Sequence, residues 1–432
     1  MSNLSLTLVP AAALVIASAA AAATTDAPVP ERPTFYADVL PILQSNCQDC
    51  HRPEGLNMSG MIAPMSFLTY QETRPWAKSM ARVVEARIMP PWGASPRQHG
   101  VFANERTLRD DEIETIVRWA RSGAGAGDPE SAPAAKEFSR TGWNLGEPDL
   151  VVTFDEPFLV ADEVEDLYQN VQVQLGDEQL PDDRFIESIE FKPGSAVVHH
   201  IIGYANPPGE TADEATARGM IGGNAPGKEQ DVFPPGYGIL LEKGSVITFQ
   251  MHYHKEPGPG TAVLDRSSMG VRFSREPVTH PVTITNVAYR SFEIPPNYDG
   301  WRVGAARFIA EDSHLISLMP HMHLRGVYAR YVAHYPDGTS EELLEVPEYD
   351  FNWQISYNYA EPKLIPAGTR LEMEVRFANT AEQARKAGFD PDRAVRFGGP
   401  TTDEMDLAWY TIAPAEPVTT FAGAAATGAG GR

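Results

Sequence analysis

The stretch Ser195-Ala196-Val197-Val198-His199-His200-Ile201-Ile202-Gly203-Tyr204 decides how the larger part of this chain is read. It is short, rich in β-branched residues and bounded by turn formers, which predicts a strand of a sheet. Runs of the same kind recur at 244–253, 314–323, 330–335 and 370–377. The turn Pro336-Asp337-Gly338 between two of them signals a hairpin. The whole region is all-β and spans roughly 270 residues, more than one sandwich usually needs. Dividing it near residue 284 predicts two antiparallel β-sandwich domains, 143–283 and 284–414. The Ala/Gly-rich tail at 415–432 is expected to be disordered.

Toward the N-terminus the pattern changes. Helices are predicted over 36–46, 73–87 and 108–121, the last with acidic residues in its first turn and Arg118 and Arg121 in its last. The first leads into Cys47-Gln48-Asp49-Cys50-His51, a C-x-x-C-H sequence that uses both cysteines of the chain. This is the attachment pattern of a c-type haem: two thioether bonds fix the porphyrin, and the histidine is placed to ligate the iron. Zinc needs further ligands nearby, and a redox dithiol needs a different setting. A small all-α cytochrome c-like domain is therefore expected over 32–123, carrying one covalent haem. Met58, Met61, Met65, Met80 and Met89 are available as second axial ligand. Met89 is the choice, because Pro90 and Pro91 hold it on a stiff loop. A Gly/Ala/Pro-rich linker at 124–142 follows, able either to tether this unit loosely or to let it dock.

The chain has 432 residues, enough for several domains, and 42% are hydrophobic. Acidic residues number 58 against 35 basic ones, a net charge of −23. That balance argues against nucleic acid and anionic membrane surfaces as partners. Residues 1–25 read as a signal peptide, with an apolar segment from Leu4 to Ile16 and alanines after it. The expected location is the bacterial periplasm or the medium, with membrane association only if the segment is uncleaved. Haem attachment to C-x-x-C-H takes place on that side of the membrane.

Most of the remaining histidines cluster as His199-His200, His252-Tyr253-His254 and His321-Met322-His323. Residues i and i+2 of a strand share a face, so His321 and His323 can hold one ion together. His199 and His200 face opposite ways on a regular strand. They meet one metal only at a strand end or a bulge. Imidazoles with a thioether suit copper. His254, His280, His314 and His334 are read as structural or exposed.

Four patches carry a family resemblance. They are Val197-Val198-His199-His200-Ile201-Ile202, Gln250-Met251-His252-Tyr253, His321-Met322-His323-Leu324-Arg325-Gly326 and Gly398-Gly399-Pro400-Thr401-Thr402-Asp403-Glu404-Met405. In order and spacing they resemble the copper type II, ascorbate-dependent monooxygenases, the family of peptidylglycine α-hydroxylating monooxygenase and dopamine β-monooxygenase. The resemblance covers about 146–414. It implies two jelly-roll-like sandwiches facing each other across an open cleft, with one copper on each. His199, His200 and His252 would hold the electron-storing copper. His321, His323 and Met405 would hold the catalytic copper that meets O2. The implied reaction inserts one oxygen atom into a substrate C–H bond. The peptide enzyme anchors a substrate carboxylate at positions that here hold Met319, Leu407 and Trp409, so a more apolar or aromatic small organic substrate is expected. The fused haem is expected to deliver electrons from a periplasmic donor in place of ascorbate. The alternative is a non-catalytic haem- and copper-binding electron-transfer protein of the periplasm.

Overall fold

Alternation of side chains along the strands generates two cores. In Arg370–Asn379, for example, every second side chain is buried over the first eight positions. The computed structural model describes residues 29–53, 55, 63–138, 141–208 and 219–418. The expected signal peptide, most of the expected tail, Met58 and Met61 lie outside the described residues.

Among the described residues the β part has four larger sheets and two two-stranded ones, Phe158–Val160 with Val263–Asp265 and Glu293–Ile294 with Val395–Arg396. The first runs Leu150–Thr153, Ser268–Phe273, Arg184–Lys192, Tyr237–Leu241, His280–Pro281, with Asp231–Val232 also paired to Arg184–Lys192. The second runs Asp166–Gln174, Val246–His254, Val198–Asn206, Met220–Asn224. Ile186, Phe191 and Val271 of the first meet Ile201, Phe249 and Met251 of the second in one core. The rings of Phe154 and Phe191 both pack edge-on against Phe249. Burial of such side chains stabilises by about 1.5–3 kcal/mol each. Close approach of the two layers requires Gly203, since a Cβ there would stand 1.9 Å from the Phe191 ring.

The third sheet runs Thr283–Ala288, Leu407–Pro414, Ser313–His321, Tyr357–Ile365. The fourth runs Tyr298–Phe308, Arg370–Asn379, Gly326–His334, Ser340–Val346. Leu315, Leu318 and Tyr410 of the third pack with Tyr331, Met373 and Phe377 of the fourth.

A smaller cluster holds the N-terminal helices together through Phe35, Leu43, Met80, Ile116 and Trp119. Thr69 and Glu72 form a capping box at Tyr70–Thr73, satisfying amides that a helix start leaves unpaired. Asp110–Arg121 begins with three acidic residues and ends with Arg118 and Arg121, so charge complements the helix dipole at both ends.

The expected fold class, a small all-α cytochrome c-like domain followed by two antiparallel β-sandwich (jelly-roll-like) domains, is corrected by this architecture. Among the described residues the protein is mostly β, 38% strand against 14% helix. Among the described residues of 35–121 there are only four short α-helices, of 7, 4, 9 and 12 residues, and these do not make a separate all-α cytochrome domain. The physical reason lies in the segment after the third helix. Ala94 and Phe102 are buried in the core of the third and fourth sheets. The Ser95 amide donates to the Glu345 carbonyl (2.8 Å), and Phe102 bridges to Tyr359 as a strand would. The β portions are not independent either. Ile284, Ile316 and Ala413 of the third sheet complete the first core, and His280–Pro281 pairs in parallel with Tyr237–Leu241. Among the described residues no helix is long and apolar enough to cross a membrane.

Candidate metal centre

The adjacent histidines reach one point because the strand is irregular. In the pairing of Val198–Asn206 with Val246–His254, Val198 faces Tyr253 and His200 faces His252, so His199 is an extra residue at a bulge. The bulge turns both imidazoles the same way. His199 Nδ1 lies 3.2 Å from His200 Nδ1, which lies 3.3 Å from His252 Nδ1. One ligand atom from each of the three lies within 4.8 Å of the others. Nitrogens bound to one ion at about 2 Å stand about 3.3 Å apart at tetrahedral angles, so the spacing fits a metal ion.

A supporting layer fixes this triad. His252 is fully buried, and its Nε2 lies 2.6 Å from Asp166 Oδ1. That contact makes Nε2 the protonated nitrogen and leaves Nδ1 as the ligand, the carboxylate–histidine–metal arrangement. Tyr168 stacks on the same imidazole with ring centroids 4.2 Å apart. Burial pushes the Asp166 carboxyl up, but the bond to His252 and the surrounding imidazoles outweigh it and hold it below its usual range. Burial, then neighbouring imidazoles, pushes His199 down to about 3 and His200 well below the usual histidine range. Neutral imidazole is the form that binds a metal.

The second group is built at the end of Ser313–His321 and the turn after it. His321 Nδ1 donates to Gln354 Oε1 (2.7 Å) and His323 Nδ1 to the Asp403 carbonyl (3.2 Å). Each ring therefore has Nε2 left as a ligand. Their centroids are 5.3 Å apart. Burial pushes His321 down to about 4 and His323 well below its usual range. Glu404, fully buried, accepts from the amides of His323 (2.9 Å) and Arg325 (2.6 Å), which fixes the turn. Met405 follows it and lines one cavity together with His200 and His321.

The two groups face each other closely. The rings of His200 and His321 are 6.4 Å apart. Phe351 stacks on His199 at 5.1 Å and meets His323 edge-on at 5.9 Å. Met319, Leu407 and Trp409 line the same cavity, of about 220 Å³. Sequence reasoning missed Asp166, Tyr168, Phe351 and Gln354. Asp166 and Tyr168 become visible only once Asp166–Gln174 is known to pair with Val246–His254, which sets Tyr168 opposite His252.

The remaining histidines lie elsewhere. His254 is exposed, His334 bonds Ser340 and Glu372, and His314 bonds Tyr237. At the C-x-x-C-H turn, the amides of Cys50 and His51 both donate to the Cys47 carbonyl, folding the three side chains onto one turn. Neither cysteine is in a disulfide, and His51 stacks on Phe67 at 4.4 Å. Burial pushes the Cys47 thiol up to about 12 and His51 below its usual range. Met89 lines a different cavity, with Val84, Arg87, Trp92, Leu108 and Ile113; neither cysteine nor His51 is among its described lining residues. Met80 is a core residue of the helices, and Met65 packs against the same core.

No family model and no curated protein matches the chain. Among solved structures, the major capsid protein P2 of bacteriophage PM2 aligns at 7% identity and TM-score 0.28, over 61% of this chain and 97% of that one. A Paenibacillus xanthan lyase aligns at 11% identity and TM-score 0.18, over 67% of this chain and 28% of that one. Likenesses this low carry no argument about fold or function.

Proposed function

We propose that the chain is a copper-dependent monooxygenase that hydroxylates a C–H bond of a small organic substrate with O2, with electrons supplied through a c-type haem. The observation that carries this reading is the convergence of five imidazoles in two facing groups, three of them at metal-ligand spacing, with His200 of one group and His321 of the other lining one cavity. The donor sets fit: His199, His200 and His252 would hold one copper, and His321, His323 and Met405 the other. A thioether with two imidazoles suits Cu(I), while three imidazoles accept both oxidation states. Cys47, Cys50 and His51 would supply the two thiols, neither of them in a disulfide, and the imidazole that a covalent haem needs. Bound copper and haem would supply the one-electron steps and the chemistry with O2.

The chain's own residues do the rest. Asp166, Gln354 and the Asp403 carbonyl set the protonated nitrogen of His252, His321 and His323. Tyr168 and Phe351 cover the imidazole faces and keep water from them. Met319, Leu407 and Trp409 form the apolar part of a wall to which Arg290 and Lys228 also contribute, and they offer an apolar substrate a matching surface. The reading places the protein in the periplasm with an electron-carrying partner.

The test is copper titration followed by oxygen uptake with a chemical reductant and a panel of small organics. Two copper ions per chain in unlike sites are expected, and His199→Ala should lose one of them together with turnover. A single copper per chain, or no copper uptake by protein purified with zinc at both positions, would falsify the reading.

A further inference from the structure

The linker expected at 124–142 returns to the helical unit before it leaves it. Past the short turn Pro129–Ser131, Ala132 packs against the helical core. The chain then crosses the C-x-x-C-H turn. Gln44 Nε2, in the helix that leads into Cys47, donates to the Ala134 carbonyl (3.0 Å). Lys136 Nζ donates to the Gln44 carbonyl (2.9 Å) and to Asp49 Oδ2 (2.8 Å), and Asp49 lies between the two cysteines. The Arg52 guanidinium, next to His51, stands 4.2 Å from the centre of the Phe138 ring. Residues 134–138 thus touch the turn before, within and after its cysteines.

What lies under this segment is firm, and what holds it is weak. Gln48 is buried and its Nε2 donates to the Phe67 carbonyl (2.8 Å), which fixes the turn from below. The far end of the linker is pinned to the first sheet, where the amides of Asn144 and Leu145 donate to Glu190 Oε2 (2.6 and 3.1 Å). Between these anchors the Lys136–Asp49 pair is partly open to solvent, with side chains 30% and 50% exposed. An exposed ion pair shifts an equilibrium by a factor of about five at most. A segment restrained in this way opens locally without unfolding of the core beneath it. Both thiols under it are half-buried.

We propose that residues 134–138 are a strap that gates chemical modification of Cys47 and Cys50: the thiols react while the strap is lifted, and it closes over the finished turn. Thioether formation adds each thiol across a porphyrin vinyl group, sulfur to one carbon and hydrogen to the other. No electrons are gained or lost, but both sulfurs must reach the porphyrin. The proposal rests on the haem reading only for the natural reagent. The gate itself belongs to the haem-free chain.

The experiment alkylates the haem-free full chain with iodoacetamide and follows Cys47 and Cys50 by mass spectrometry. Lys136→Gln and Phe138→Ala should each speed the reaction by about two- to fivefold, the range open to one such contact. Loss of a cation beside Cys47 would by itself hold less of the thiol as thiolate and slow alkylation, so acceleration in Lys136→Gln reports opening. Phe138→Ala leaves the charge unchanged. Amide exchange in Ala77–Glu85 and Asp110–Arg121 should match the wild type in both variants. An unchanged or lower alkylation rate in either variant overturns the proposal. So does faster exchange in those helices in step with alkylation, since the thiols are then reached by unfolding of the unit. Gated alkylation in a chain that takes up no haem, by pyridine haemochrome, would sink the haem reading and leave this one intact.

Discussion

At the scale of single residues, the candidate site depends on groups that hold histidines as much as on the histidines themselves. Asp166 is the clearest case, because its carboxylate fixes which nitrogen of His252 is free. Asp166→Asn is expected to weaken copper binding at the first site by about 10–100-fold with the fold intact. A competition titration against a chelator of known affinity measures this, and unchanged affinity would remove Asp166 from the site. The imidazoles also couple folding to pH. His321 titrates near 4 in the folded chain against 6.5 for an unperturbed histidine, because burial disfavours its charged form. Between those values the unfolded chain binds the extra proton. Its contribution to stability is therefore complete above pH 6.5 and is lost as pH falls toward 4. The urea midpoint of metal-free protein should drop between pH 7 and pH 5, and drop less in His321→Gln. An equal drop in both would mean that His321 is protonated while folded.

At the scale of elements, what the sequence shows and what it hides have distinct causes. The strand expected over 195–204 is found over Val198–Asn206, and two adjacent histidines sharing one target called for either a strand end or a bulge. The bulge is there, at His199. Local pattern also located the helices, since caps and charged ends are read within a few residues of one another. Partners across a sheet were not legible, because the register that sets Tyr168 against His252 joins residues far apart in the chain. Gly203 is another such position. Nothing nearby in sequence marks it, yet the Phe191 ring of the facing layer occupies the space a side chain would need. Gly203→Ala is expected to cost about 1–3 kcal/mol through overpacking, and Gly203→Val more. Urea unfolding monitored by far-ultraviolet dichroism measures the loss. A variant as stable as the wild type would mean that the two layers separate easily at this point, and with them the support of the His199–His200 bulge.

At the scale of the whole molecule, the separate all-α domain was misread because composition changes at the linker while packing does not follow composition. Trp92 and Phe102 read as part of the helical unit, but their rings pack against Tyr357, edge-on for Trp92 and tilted for Phe102, and Phe102 also packs tilted on Tyr359, inside the β body. Phe102→Ala is expected to cost about 3–5 kcal/mol, since a buried ring leaves a cavity. The same segment touches both β bodies behind the cavity wall. Asn104 Nδ2 donates to the Ser356 carbonyl (2.7 Å), and Arg106 pairs with Glu229 at 3.6 Å. Ser356 and Lys228, the neighbour of Glu229, line the cavity beside His200 and His321. Of the two roles open to the linker, loose tethering and docking, these contacts favour docking. A docked unit would hold a haem on Cys47 and Cys50 at a fixed distance from the copper ligands, so the proposed electron route becomes sensitive to the dock. Mixing haem-reduced protein with oxygen and substrate should give fast haem oxidation only when copper is bound, slowed in His199→Ala. Arg106→Glu sets two carboxylates against each other at Glu229, and should slow the same step while leaving haem and copper content unchanged. Haem oxidation at the wild-type rate in copper-free protein would rule out the route. The wild-type rate in Arg106→Glu would leave the route standing and place its path away from this contact.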